Sequence, residues 1–350
     1  MPGPTIRFSN GVSPNILIFD TIFDALFNDV TLTSESATEA VFETGSGASI
    51  TLQGSGFAYV GSTEERQLVG GTLNALIFEV SPGVTVEMTG IAFDVASFAA
   101  LYQQDASGAD PAALENFLMP MDWTILGNDA VTEFRNTAVS SDGVPLTFSG
   151  DNYVELDGGF DIFDAGAGND TVSGGLKGDL IWGRAGDDVL NGDAGNDTLL
   201  GGADNDLLNG GSGSDSLNGG NQQDTLIGGN GNDTLFGGNQ RDELRGSKGD
   251  DSLNGGSAKD VLIGGAGDDT MTGGSSADRF VFVKTAAAQD DVITDFEASQ
   301  DRIRIYGENN PGSATFQDLG DDLLVTFGTN SILIENTDEV DLTSSNFLFL

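Results

Sequence analysis

The chain has 350 residues, with Asp+Glu 55 against Lys+Arg 13, a formal net charge of −42, and neither cysteine nor histidine. That charge argues against nucleic acid and anionic membranes as partners, because it repels phosphate instead of releasing its counterions. The absent cysteines remove disulfide stapling, and the absent histidines remove HExxH zinc motifs, Ser-His-Asp triads and Cys-His pairs.

The opening MPGPTIRFSNGVSPNILIFDTIFDALF does not read as a secretory signal, since Asp20 and Asp24 interrupt the apolar run and no small-residue cleavage site follows. No stretch reaches the roughly 18 consecutive apolar residues of a membrane span, so no transmembrane segment is expected. Strand-like alternation fills 47–93, clearest where Val84, Val86 and Met88 alternate with Thr85, Glu87 and Thr89. A short helical hairpin is predicted next. Ser97 precedes Phe98, Leu101 and Tyr102 at helical spacing, and Asp110-Pro111 supplies an N-cap and first-turn proline before Leu114, Phe117 and Leu118. Residues 1–150 therefore read as a β-rich N-terminal domain containing that hairpin, and 151–164 as a transition leading toward GFDIFDAGAGND.

From Ala165 to Val281 the chain divides without remainder into thirteen nonapeptides. The sixth place is aspartate in every copy, from Asp170 at each ninth residue to Asp278. The eighth is apolar in every copy, from Val172 to Phe280. A Gly-Gly-x-Gly lead-in tolerates positive φ and lets backbone carbonyls turn toward one point. Aspartate adds a hard anionic oxygen, the donor that calcium prefers over thiolate or imidazole. The x-apolar-x that follows reads as a short strand with its middle residue inward.

This pattern, G-G-x-G-x-D-x-U-x, resembles the calcium-binding nonapeptide of RTX (hemolysin-type) proteins across about a third of the chain. The resemblance implies a parallel β-roll in which two nonapeptides make one coil, turns stack in two columns, and Ca²⁺ sits between stacked turns. The fold class expected is mainly β: an RTX solenoid with a β-rich N-terminal domain and a β C-terminal cap.

Two columns account for an irregularity at the fourth place. One column carries Lys177, Gly195, Gly213, Gly231, Gly249 and Gly267; the other carries Gly168, Gly186, Asp204, Gln222, Gln240, Ala258 and Ser276. The first keeps its glycine through five successive turns while the second degenerates, and Arg241, Lys259 and Arg279 stand beside the aspartates of the second. Calcium is accordingly expected in the gaps Asp197/Asp215, Asp215/Asp233, Asp233/Asp251 and Asp251/Asp269, with a fifth at Asp170/Asp188. Asp188/Asp206 is open because Asp204 replaces glycine. In the later second column, side-chain amides and basic charges would stand in for metal. The competing expectation is that every turn binds calcium and that Gln or Ala is tolerated.

Beyond the repeat, 282–350 reads as a C-terminal cap. Leu323 to Phe327 and Ser331 to Glu335 alternate as antiparallel strands that would cover the open end of the roll. The run ADRFVF…DVITDF…DRI resembles the closing segment of serralysin-type secreted proteins, and SSNFLFL resembles the C-terminal signal read by type I ABC exporters. The resemblance implies a secreted, extracellular protein that stays unfolded where calcium is scarce and folds on calcium outside the cell. Its N-terminal domain would bind or assemble at an extracellular surface or polysaccharide. The alternative is a secreted polysaccharide-active hydrolase or lyase, which would need a polar pocket drawn from Glu79, Glu87, Arg66 and Tyr59. With only Arg7, Arg66 and Arg135 as bases in that domain, the residues favour a non-catalytic role.

Overall fold

The computed structural model describes backbone strands within 1–148, and backbone and side chains over 149–350, apart from the side chain of Asp157 and residues 284–286, 308–313 and 338–345. By contacts the chain divides into two compact units, Met1–Val172 and Ser173–Leu350. The hairpin expected over 97–118 lies outside the described residues, as do the side chains of Tyr59, Arg66, Glu79 and Glu87.

In the first unit, strands Val30–Glu35, Glu39–Thr44, Ser49–Val60, Gln67–Ser81 and Val84–Asp94 form an antiparallel meander. Strand Thr5–Phe8 pairs antiparallel with the last of these and parallel with Thr124–Asn128 on its other side. From there the pairing is parallel. Ile125 registers with Val154, and Phe134 with Phe163. Ile125 and Phe134 are nine residues apart, as are Val154 and Phe163, so this backbone already winds at the interval of the repeat.

From Leu180 to Tyr306 the strands of the second unit pair only in parallel. Successive strands lie on alternate faces, and each pairs in parallel with the strand one coil on. Leu199, Leu217, Leu235, Leu253 and Met271 are register partners on one face. Leu190, Leu208, Leu226, Leu244, Leu262 and Phe280 are partners on the other. All are at most 1% exposed. Each such side chain contributes about 1.5–3 kcal/mol of burial, and the row of eighth-place residues is the core.

Most strands are longer than the three residues that x-apolar-x predicts. Thr198–Ala203 and its successors run six residues, with outward and inward positions alternating so that the first-place glycine also points inward. The reason is steric. A Cβ on Gly192 would lie 2.3 Å from Asp197 Oδ2, and one on Gly228 would lie 2.4 Å from Asp233 Oδ2. The space beside each aspartate belongs to its carboxylate, and only glycine leaves it free.

The C-terminal strands fall where the alternation places them. Leu323–Phe327 and Asn330–Ile334 are antiparallel to one another, and the latter continues one face of the roll by pairing in parallel with Asp290–Ile293. On the other face Phe347–Phe349 pairs in parallel with Arg302–Tyr306.

Candidate metal centre

The sixth-place aspartates are inside the roll. From Asp197 to Asp278 each is 3% exposed or less. One oxygen of each is spoken for: the backbone N–H of an aspartate donates to Oδ1 of the aspartate one coil further on. The distances are 2.7 Å for Asp179 to Asp197, 2.8 Å for Asp197 to Asp215, 2.9 Å for Asp215 to Asp233, 2.8 Å for Asp233 to Asp251 and 2.9 Å for Asp251 to Asp269. The second column repeats the ladder, at 2.9 Å for Asp188 to Asp206 and 2.9 Å for Asp224 to Asp242.

The other oxygen is not satisfied. Oδ2 of Asp197, Asp206, Asp215, Asp224, Asp233, Asp242, Asp251, Asp260, Asp269 and Asp278 is buried without a hydrogen-bond partner. A buried carboxylate in that state is costly unless it is protonated or meets a cation. Burial pushes Asp197, Asp251 and Asp269 up to about 7 and Asp233 to about 6, against partial relief from the backbone N–H each accepts and with a further rise from neighbouring carboxylates. Asp215 is raised for the same first reason. In the second column Asp206 and Asp242 reach about 8, and Asp224 and Asp260 about 7. The nearby Arg241 charge draws Asp260 back down slightly.

These residues fit a hard divalent cation. Stacked carboxylates supply anionic oxygen, and the glycine-rich turns supply backbone carbonyls. Among the described residues no three acidic side chains converge on one point. Aspartates of neighbouring coils would each offer an oxygen, and backbone oxygens would complete the coordination shell.

From Gly195 and Asp204 onward the columns differ in backbone, not in carboxylate; before that, Lys177 of the first column takes φ 73° and Gly186 of the second 123°. Fourth-place glycines of the first column have φ of 149° at Gly195, 143° at Gly213, 121° at Gly231, 117° at Gly249 and 130° at Gly267. Their carbonyls point along the stack, so that a Cβ on Gly231 would sit 1.8 Å from Gly213 O. Asp204, Gln222, Gln240 and Ala258 in the second column take φ of 75°, 75°, 72° and 84°, the left-handed region that a side chain can enter at a cost. Amides stack there: Gln240 Nε2 donates to Gln222 Oε1 at 2.7 Å, and Asn239 Nδ2 to Asn221 Oδ1 at 2.9 Å.

Four further residues occupy sixth places outside the thirteen copies. Asn152 donates its N–H to Asp170 Oδ1 at 2.7 Å, and Asp161 is buried nine residues before Asp170. At the other end Asp269 N–H donates to Asp291 Oδ1 at 3.1 Å and Asp278 N–H to Asp301 Oδ1 at 2.8 Å. Intervals of 22 and 23 residues hid the last two from a nine-residue frame. The signal that persists is aspartate, any residue, apolar: Asp161-Ile162-Phe163, Asp291-Val292-Ile293 and Asp301-Arg302-Ile303.

Comparison with known proteins agrees with this geometry. The RTX calcium-binding nonapeptide repeat matches residues 146–181, 173–208, 209–244, 236–271 and 245–280. The roll thus consists of calcium-binding repeats, and the match begins ahead of Ala165. No curated protein sequence matches the chain. Among solved structures, a subunit of the mannuronan C5-epimerase of Azotobacter vinelandii is similar at 27% identity and TM-score 0.27, over 34% of this chain and 78% of that one. The extracellular lipase of Serratia marcescens is similar at 18% identity and TM-score 0.29, over 65% of this chain and 45% of the lipase.

Proposed function

We propose that this is a secreted protein whose roll folds on calcium outside the cell, after passage through a type I ABC exporter, and whose N-terminal residues bind or assemble at an extracellular surface or polysaccharide. The observation that carries the reading is the row of buried aspartates with one oxygen each unsatisfied. Bound calcium supplies positive charge and a demand for oxygen ligands. The chain's own residues do the rest: Oδ1 holds the ladder, Oδ2 is left for the ion, and the first-place glycine keeps the space open. Where calcium is scarce, carboxylates pushed together without a counter-charge oppose compaction, which suits a chain that must thread an exporter. Phe347–Phe349, within the proposed export signal SSNFLFL, would then become a strand of the cap on folding.

Within the roll we assign calcium to the glycine column, in the gaps Asp197/Asp215, Asp215/Asp233, Asp233/Asp251 and Asp251/Asp269. The support is the fourth-place backbone there, whose φ of 117–149° is closed to residues with a Cβ. Carboxylate burial is the same in both columns, so the assignment rests on those turns and on the amide stack that replaces them. Circular dichroism of the whole chain, titrated with calcium from excess chelator, tests the folding step. A β signal that is fully present in chelator at neutral pH would overturn it. Ion positions in an experimental map with calcium test the column assignment, and equal occupancy in both columns would refute it.

A further inference from the structure

The two faces of the roll differ in a way that calcium binding does not use. On the face built from strands Leu180–Ala185, Thr198–Ala203, Ser216–Asn221, Thr234–Asn239, Ser252–Ser257 and Thr270–Ser275, no seventh- or ninth-place residue is charged. The opposite face carries Glu243, Arg245 and Arg279 at those places, continued by Arg302 and Arg304. Leu180–Ala185 exposes Arg184 over the Trp182 ring, 5.4 Å from its centroid, but the five strands from Thr198–Ala203 to Thr270–Ser275 hold no charged residue at all, an exception in a chain of net charge −42 that calls for a reason.

Its side chains form rows. Thr198, Ser216, Thr234, Ser252 and Thr270 are register partners on five consecutive strands. At a strand separation of about 4.8 Å they make a hydroxyl row about 19 Å long. Beside it runs a second row in which Phe236, 41% exposed, stands between Asn218 and Asn254. Half-buried Trp182 lies three strands away in the same row, about 14 Å from Phe236.

We propose that this face binds a neutral polysaccharide lying across the strands. Evenly spaced hydroxyls and amides can each donate and accept, as sugar hydroxyls do, and an exposed aromatic ring suits the apolar face of a pyranose. The charge settles the rest. A second copy of this chain, an acidic glycan or a nucleic acid would all be repelled by the protein's own field, whereas a neutral glycan would not. The surface is built from residues of the roll and not from the N-terminal residues to which glycan or surface binding was assigned above, and it requires only that the roll be folded.

The test is co-sedimentation of the calcium-loaded full chain with microcrystalline cellulose, chitin and curdlan. Retention is expected on at least one of the three. Phe236→Ala should weaken it at least tenfold, and Asn218→Glu/Asn254→Glu should abolish it by placing charge on both sides of the ring. Glu243→Ala/Arg245→Ala on the opposite face should leave it unchanged. None of these touches a fourth- or sixth-place residue, so each variant should keep the calcium-dependent dichroism, which separates loss of this surface from failure of the calcium reading. Retention by none of the three solids, or retention indifferent to the Phe236 and Asn218/Asn254 changes, overturns the proposal. So does concentration-dependent self-association abolished by Asn218→Glu/Asn254→Glu, which would make a second copy the occupant.

Discussion

Gly231→Ala is the sharpest probe of the two-column reading. At φ 121° the new methyl would lie 1.8 Å from Gly213 O, short by more than an ångström of the 3.0 Å below which real Cβ contacts essentially never fall. The obstacle is backbone, so the turn itself must move. Leaving that φ costs about 1–3 kcal/mol, and the 2.8 Å bond from Gly231 N–H to Lys248 O would add about 1 kcal/mol if broken. A loss of about 2–4 kcal/mol is therefore expected, with calcium affinity falling as the Gly213 and Gly231 carbonyls are displaced. Gln240→Gly is the control in the other column. Gln240 already sits at φ 72°, so glycine relieves about 1 kcal/mol of left-handed strain while adding comparable chain entropy and giving up one exposed amide contact. The net should lie within about 1 kcal/mol of zero. Chemical denaturation and calcium titration of both variants decide the matter. If Gly231→Ala is tolerated as well as Gln240→Gly, with the same calcium midpoint, the columns are equivalent and the reasoning fails.

Acidity should act as a partial substitute for calcium. Folded-state aspartates pushed up to about 6–8 hold protons that unfolded ones, near 3.8, release. Between those values the folded chain binds more protons, so stability without calcium falls as pH rises from about 4 toward 8. The measurement is β dichroism in chelator across that range, with calorimetry showing weaker calcium binding and more proton release near the acid end. Asp233→Asn keeps the Oδ1 acceptor and removes a buried charge. It should stabilise the calcium-free roll and destabilise the calcium-loaded one, a reversal that thermal melts in chelator and in calcium would reveal, while Asp242→Asn should leave calcium stoichiometry unchanged. Leu235→Ala removes a side chain that is 1% exposed and should cost about 2–5 kcal/mol in either condition, read by urea denaturation.

The sequence by itself determined the repeat: a nine-residue interval that keeps aspartate sixth and an apolar residue eighth. That two repeats complete one coil was implied by the resemblance to RTX proteins, and the parallel pairing of Leu217 with Leu235 agrees with it. The sequence also exposed the fourth-place contrast between Gly231 and Gln240. Tertiary structure alone decided what those residues do, since the deciding contacts join positions 18 or more apart. That Asp215 N–H holds Asp233 Oδ1 while Oδ2 is left buried and alone follows from the stacking of coils. That the ladder reaches Asp291 and Asp301 follows from loops of extra residues that the backbone absorbs without losing register. The gathering of uncharged strands on one face arises in the same way, because neighbours along the chain point to opposite sides and only winding brings Thr198, Ser216 and Thr234 into one row.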